Sequence, residues 1–199
     1  VPRGKAWALV TGAALGIGRQ YAEQLAALGY NLLMVDILDS VATEAIIISE
    51  QYKVHCDTKV MDLATATAAR KLHEWTVAEG YVFDLVINNA GIFSFCDILN
   101  TPVERLERII LLHDLTLTTM CRLYGEDMLK RGKGRLLNMS SYSIWMPYPG
   151  LSLYSASKAY LKSFSAFCMH NLEVSGQIHI QKDTDRRYKP YFYSVHKVQ

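Results

Sequence analysis

A tyrosine and a lysine, Tyr154 and Lys158, stand four residues apart in the run LYSASKAYLKSFSAFCMHNLEV. Apolar residues recur there at three- and four-residue steps, which predicts a helix with both side chains on one face. A nearby ammonium favours the phenolate form of a tyrosine, and such a phenol can exchange a proton with an alcohol or carbonyl oxygen. An isolated pair with this spacing is usually an ordinary exposed pair, so the hypothesis depends on the rest of the chain.

A glycine-rich segment, TGAALGIG at residues 11–18, lies between an apolar run at residues 6–10 and an amphipathic segment. Gly12 and Gly16 allow the backbone to approach a ligand, and Gly18 permits close packing of a helix on a strand. The N-terminus of the following helix would direct the positive end of its dipole at a pyrophosphate. A glycine-rich turn alone is weak support, but a strand, this loop and a helix in succession predict a nucleotide-binding site.

Asp36 ends the second apolar run, NLLMVD at residues 31–36. An acid at this place can accept hydrogen bonds from the ribose diol of an adenosine, whereas a 2′-phosphate would meet a like charge. The neighbouring positions are not basic; they are Leu15, Ile37 and Leu38. The sequence therefore predicts NAD in preference to NADP. A solvated acid at a strand end is the alternative interpretation of Asp36.

Apolar runs alternate with amphipathic segments along the chain. The apolar runs predict strands at residues 6–10, 31–36, 54–63, 84–87 and 135–139. The amphipathic segments predict helices at residues 41–52, where an isoleucine triplet also tolerates a strand, and at 64–79 and 103–130. Apolar strands separated by helices form a parallel sheet that is covered on both faces. We therefore predict an α/β fold with a doubly wound parallel sheet, in a single domain over residues 1–199.

The composition is that of a soluble globular protein, with 50% hydrophobic and 20% charged residues among 199. A net charge of +2 gives no electrostatic reason to expect nucleic acid or an anionic membrane as partner. The cysteines are far apart and form no CxxC motif, so neither a metal site nor a disulfide framework is expected; they are Cys56, Cys96, Cys121 and Cys168. No apolar run is long enough to span a bilayer, and the expected localisation is cytoplasmic.

The motifs TGxxxGIG, NNAG at residues 88–91 and YxxxK resemble those of the short-chain dehydrogenase/reductase family, in the same order and at similar spacing. The resemblance covers roughly residues 6–174. It implies a Rossmann fold and an NAD(P)-dependent oxidoreductase that acts on a secondary alcohol or ketone. It also implies that the cofactor is bound by Gly12, Leu15, Gly16, Ile17, Gly18, Asp36, Asp62, Leu63, Asn89, Ala90, Gly91, Tyr154 and Lys158.

The same resemblance implies catalytic roles. Ser141, upstream of Tyr154, would hydrogen-bond the substrate oxygen. Tyr154 would be the general acid in reduction and the general base in oxidation. Lys158 would hold the nicotinamide ribose hydroxyls and favour the ionised phenol. The hydride transfer itself is the chemistry of the nicotinamide.

Asp114 departs from the family pattern. It stands in the stretch DLTL, where the family usually has an asparagine that helps bind a water linking the lysine to solvent. The aspartate has lost the amide donor but can accept a hydrogen bond, either as a compromised relay or as an active carboxylate. His113 beside it is another relay candidate, although a packed helix histidine is the more common outcome.

The C-terminal segment, GQIHIQKDTDRRYKPYFYSVHKVQ, is a second departure because it lacks the Pro-Gly turn that the family has after the tyrosine helix. We expect this part of the fold to be incomplete, either through truncation or because separated segments are joined. Residues 177–180 are predicted as a sixth strand and residues 183–187 as a loop. Residues 188–198 have the composition of an edge strand.

The substrate is predicted to be a hydrophobic alcohol or ketone, because the residues expected to line the cleft are largely apolar or aromatic. They are Ile92, Phe93, Phe95, Ser143, Trp145, Met146 and Tyr148. Ordinary loop and core packing accounts for such residues equally well. By the same resemblance, we expect a homodimer or homotetramer that pairs through the long helix and the tyrosine helix. The alternative function is a non-catalytic scaffold or regulatory subunit that keeps the fold.

Overall fold

A six-stranded sheet forms the centre of the molecule in this computed structural model, which describes residues 6–95, 97–145, 148–174 and 191–196. The strands are β1 (Trp7–Thr11), β2 (Asn31–Asp36), β3 (Cys56–Val60), β4 (Phe83–Asn88), β5 (Lys133–Asn138) and β6 (Tyr191–His196). They lie in the order β3-β2-β1-β4-β5-β6, with the first five parallel and β6 antiparallel to β5. The order reverses between β1 and β4, so the predicted doubly wound fold is confirmed and its topological switch point lies there.

Helices cover both faces of the sheet. They are α1 (Gly16–Ala27), α2 (Val41–Tyr52), α3 (Ala68–Ala78), α4 (Val103–Ile110), α5 (Leu117–Arg131) and α6 (Ser152–Val174). Helices α1 and α2 pack on the face that carries Ala8 and Val10, and α3, α5 and α6 pack on the face that carries Trp7 and Leu9. Successive residues of a strand point to opposite faces. Both faces of β1 are therefore buried, which explains its uninterrupted apolar sequence.

The isoleucine triplet that tolerates a strand is part of α2. Val41, Ala45 and Ile48 are buried, whereas Ile46 is 60% exposed and Ile47 43% exposed. The buried positions are four and three residues apart, which is the spacing of one helical face. A strand would have placed Ile46 and Ile48 on the same side.

Strand β3 and helix α3 are both shorter than the predicted segments at residues 54–63 and 64–79. The chain turns between them because the carboxylate of Asp62 accepts a hydrogen bond from the backbone N–H of Ala64 at 2.8 Å. This local side-chain bond competes with continued secondary structure. Periodicity alone does not reveal it.

At the C-terminal end, the edge-strand prediction for residues 188–198 is confirmed over Tyr191–His196, which pairs with β5. The strand predicted at residues 177–180 and the loop predicted at residues 183–187 lie outside the described residues.

Candidate active site

The two loops at the topological switch point are joined by hydrogen bonds. The Asn89 side chain donates to the carbonyl oxygens of Thr11 at 3.0 Å and Gly12 at 3.1 Å. The Thr11 hydroxyl accepts the N–H groups of Asn89 and Ala90 and donates to the carbonyl of Ile87. The glycine-rich loop after β1 and the NNAG segment after β4 are thereby fixed together. Open α/β sheets bind ligands in the crevice at this position.

The glycine-rich loop has the shape of a phosphate cradle. Gly12 and Gly16 have left-handed backbone angles, φ +65° and +55°. A Cβ on Gly12 would lie 2.9 Å from the Cα of Ala90, and one on Gly18 would overlap the carbonyl oxygen of Gly12. Leu15 occupies the N-cap position of α1, and its side chain makes no hydrogen bond to the helix. The backbone amides of the first helical turn therefore remain available to an anion. The residues present therefore fit a pyrophosphate.

Asp36 lies beside this loop at the end of β2. One carboxylate oxygen accepts the N–H of Ala14 at 2.8 Å, and the other accepts the N–H of Leu38 at 3.0 Å. A carboxylate oxygen has two acceptor sites, so Asp36 can still accept hydrogen bonds from a ribose. Ile37 and Leu38 beside it are exposed.

Asp62 and Leu63, two of the residues expected to bind the cofactor, are held in place by residues of the predicted long helix at 103–130. Partial burial acts to raise the pKa of Asp62, but the Ala64 amide and the Arg108 guanidinium together hold it below its ordinary value. Arg108 binds the second oxygen of Asp62 at 2.9 Å. Leu63 is buried, and its carbonyl accepts the hydroxyl of Thr116 at 2.7 Å.

Lys158 is buried where α6 meets the end of β5, with 4% of its surface exposed. Its ammonium donates to the carbonyl of Met139 at 2.8 Å and lies 5.9 Å from the centre of the Tyr154 ring. Burial lowers the pKa of Lys158 to about 8, against the opposing charge of Asp114. A Cβ on Gly91 would lie 3.4 Å from this nitrogen, so the NNAG segment and the lysine are close neighbours.

Tyr154 and Ser141 flank the same region. The ring of Tyr154 packs edge-on against Phe93 at 5.0 Å between ring centres. Ser141 follows Ser140, whose hydroxyl donates to the carbonyl of Lys158 at 2.8 Å. The Ser141 hydroxyl oxygen accepts the hydroxyl of Ser143 at 3.0 Å. The end of β5 and the start of α6 thus hold the predicted serine, tyrosine and lysine in one part of the molecule.

Asp114 lies in a π-helical turn, Leu111–Thr116, within the predicted long helix. Such turns are frequent at functional sites. The Oδ1 atom of Asp114 is buried and has no hydrogen-bond partner in the part of the chain that the structure describes. Burial raises the pKa of Asp114 to about 6, and the charge of Lys158 acts to lower it. A buried carboxyl group with a raised pKa therefore lies within the field of the buried lysine.

His113, the second relay candidate, is packed rather than free. Only 1% of its surface is exposed. Its Nε2 accepts the backbone N–H of Ile92 at 2.9 Å, and its Nδ1 lies 2.8 Å from the hydroxyl of Ser157. Burial and the charge of Lys158 lower the pKa of His113 to about 3. Both ring nitrogens have partners, which favours the packed interpretation over a proton relay.

Exposed aromatic side chains include two that lie beside the tyrosine, Phe93 in contact with the Tyr154 ring and Phe95 in contact with Phe93. Phe93 and Phe95 pack edge to face at 5.4 Å, and Trp145 lies under the ammonium of Lys162 at 3.5 Å. Phe93, Phe95, Trp145 and Tyr148 are all exposed. Ile92 instead packs partly buried against the core, and Met146 lies outside the described residues. Of the predicted cleft residues, Phe93 and Phe95 therefore form an exposed aromatic rim next to Tyr154.

Some contributors to the site were not predicted from the sequence, namely Arg108, Ser140, Ser157 and the carbonyl of Met139. Ser157 had a usable signal, because a serine on a helix can bond the carbonyl three residues earlier. Across the described ranges, no group of histidine, cysteine, aspartate and glutamate is arranged to hold a metal ion. No helix among those residues is long and apolar enough to cross a membrane.

The sequence matches the family model for short chain dehydrogenase over residues 6–182. Among curated relatives, it is 34% identical over 188 residues to the very-long-chain 3-oxoacyl-CoA reductase of Phaeosphaeria nodorum, covering 90% of this chain and 54% of the relative. It is 33% identical over 184 residues to the Homo sapiens protein of that name, covering 88% and 57%. The chain thus spans about half the length of the curated relatives it matches.

Solved structures share the fold. A bulky-bulky ketone specific alcohol dehydrogenase from Comamonas testosteroni aligns with a TM-score of 0.79 and 27% identity, covering 85% of this chain and 68% of the other. A short-chain dehydrogenase from Sphingobium yanoikuyae, solved in complex with NADPH, aligns with the same score and identity over 86% and 67%.

Proposed function

The chain belongs to the short-chain dehydrogenase/reductase family, and on this premise we propose that it reduces a hydrophobic ketone with a nicotinamide cofactor. The observation that carries the proposal is the buried ammonium of Lys158 beside Tyr154, next to the loops that form the phosphate cradle. Burying a charge is costly unless it is paired and hydrogen-bonded, and the carbonyl of Met139 accepts a hydrogen bond from this ammonium.

In the proposed mechanism, Tyr154 donates its hydroxyl proton to the substrate carbonyl oxygen, and Ser141 donates a hydrogen bond to the same oxygen. The ammonium of Lys158 favours the phenolate that this transfer leaves on Tyr154. Lys158 would also hold the nicotinamide ribose hydroxyls. A bound nicotinamide supplies the hydride. In the oxidative direction, the phenolate takes the proton from the alcohol.

The substrate we propose is a 3-oxoacyl thioester or another ketone with a bulky apolar substituent. The exposed aromatic rim next to Tyr154 supports it, because a desolvated apolar chain gains binding energy from such a surface. The names of the relatives point the same way, since the P. nodorum and human proteins are named for 3-oxoacyl-CoA. The Comamonas protein is described as specific for bulky-bulky ketones.

The direct test is a comparison of ketones that differ only in apolar size, with oxidation of NADH and NADPH followed by absorbance. We expect kcat/KM to rise by about tenfold for each two methylenes buried, at about 0.8 kcal/mol per methylene. A small ketone such as acetone serves as the reference. Cofactor binding without turnover of any ketone would instead support the non-catalytic scaffold.

NAD is the cofactor we propose, on the basis of Asp36. Its carboxylate is held by two backbone amides and faces the end of the glycine-rich loop, so a 2′-phosphate there meets a fixed like charge. We expect NADH to bind at least about tenfold tighter than NADPH, and Asp36→Ala to narrow this difference. Fluorescence titration of both cofactors measures it.

Glu50→Ala is the matched control for Asp36→Ala, since it removes one negative charge from an exposed position on α2. It should leave the ratio of the two dissociation constants unchanged. A clear preference of the unmodified protein for NADPH would overturn the assignment, whatever the variants do.

A further inference from the structure

His113 connects two parts of the site that come from distant parts of the chain. Its Nε2 accepts the N–H of Ile92, just after the NNAG segment, at 2.9 Å. Its Nδ1 contacts the hydroxyl of Ser157 at 2.8 Å, and that hydroxyl contacts the carbonyl of Tyr154 at 2.8 Å. The His113 ring also packs edge-on against the ring of Tyr154 at 5.8 Å. A single buried side chain therefore links the loop after β4 to the helix turn that carries the tyrosine.

The donors in this chain of hydrogen bonds are fixed by chemistry. A backbone N–H can only donate, so Nε2 of His113 must be unprotonated to accept it. The neutral imidazole then carries its proton on Nδ1 and donates to the oxygen of Ser157. The proton of Ser157 is free to donate to the carbonyl of Tyr154, which can only accept. Every hydrogen bond in the chain thus has only one possible direction.

Protonation of His113 would break this arrangement, because Nε2 would become a donor facing the donor of Ile92. The charged or titratable groups around the ring are Lys158 and Tyr154 on α6 and Asp114 in its own turn. Burial together with the Lys158 charge lowers the pKa of His113 to about 3. A ring with both nitrogens engaged has no position from which to pass a proton.

We propose that His113 is a positioning residue that sets the location of Tyr154 relative to the loop after β4, through Ser157. The space for its ring is tight, since a Cβ on Gly91 would lie 3.1 Å from Nε2. A displacement of a reacting group by about 1 Å can cost about 100-fold in rate. The effect on turnover rests on the proposed reductase function, whereas the hydrogen-bond geometry does not.

Two substitutions separate positioning from packing. A glutamine can place one acceptor towards Ile92 and one donor towards Ser157, while a leucine fills similar volume with neither. We expect His113→Leu to lower kcat by about 10- to 100-fold, with KM for NADH little changed, and His113→Gln to recover most of that loss. Ser157→Ala should give a similar loss, and the His113→Leu/Ser157→Ala double variant should add little to either.

Nitrogen NMR of the imidazole tests the geometry without catalysis. We expect Nδ1 protonated, Nε2 unprotonated and no titration between about pH 5 and pH 8. A proton on Nε2, or a titration within that range, would overturn the proposal. So would His113→Gln that folds but is as slow as His113→Leu. If the unmodified protein reduces no ketone while the NMR result holds, the proposed function fails and the His113 geometry stands.

Discussion

Replacing Tyr154 with phenylalanine should lower kcat by about 10²- to 10⁴-fold, the range that a positioned general acid contributes. The ring contacts with Phe93 and His113 involve only the aromatic edge and face, so phenylalanine preserves them. Only the hydroxyl that exchanges the proton is lost. The dissociation constant for NADH should therefore stay within about twofold of the unmodified value. Steady-state kinetics with a hydrophobic ketone and fluorescence titration measure the two quantities separately.

Tyr160→Phe is the matched control for this experiment. Tyr160 lies on the same helix, but its hydroxyl pairs with that of Thr118 at 2.8 Å. The substitution removes the same atom, a phenolic oxygen, at a position away from Lys158. It should therefore leave kcat nearly unchanged. Near-normal turnover by Tyr154→Phe with any good substrate would refute the acid/base role of Tyr154 and favour the scaffold interpretation.

The sheet and the helices were predictable because burial selects apolar residues in local patterns, namely continuous runs in strands and one face in helices. Strand β2 and helix α2 match their predicted ranges, since an apolar run and a helical face of Val41, Ala45 and Ile48 are local patterns. The π-helical turn was not predictable. Its residues continue the apolar periodicity of the long helix, and the extra residue in the turn changes the geometry without changing the composition.

Only the residues of the site that belong to local sequence motifs were predictable. Tyr154 and Lys158 are four residues apart, so their common face follows from helix geometry. The contacts of His113 with Ile92 and Ser157 span 21 and 44 residues, and no local pattern specifies such pairs. The same holds for Arg108 and Asp62, which are 46 residues apart. These contacts depend on how the helices dock on the sheet.

Lys158→Met is expected to lower both kcat/KM and cofactor affinity, unlike the tyrosine change. Methionine keeps most of the volume of the buried lysine stem. The substitution therefore removes the ammonium without creating the cavity that alanine would leave. Loss of the positive charge removes the stabilisation of the phenolate and the hydrogen bonds proposed for the ribose. We expect kcat/KM to fall by at least about 10³-fold and the dissociation constant for NADH to rise by about tenfold. Unchanged NADH affinity in a folded variant would show that the lysine does not hold the cofactor.

Asp114→Asn tests the same ammonium without removing it. The Asp114 carboxylate acts to raise the pKa of Lys158, which burial has lowered to about 8, so the amide should lower that pKa further. If the charged lysine is the active form, activity falls as pH rises through its pKa, and this fall should move to lower pH in the variant. Profiles of kcat/KM against pH, with Asp39→Asn as an exposed control, measure the shift. At lower pH, we expect Asp114→Asn to keep or raise the rate if Asp114 is a compromised relay to the water that links the lysine to solvent. We expect it to reduce the rate if Asp114 acts as an ionised carboxylate. An unshifted profile would show that Asp114 has no influence on the lysine.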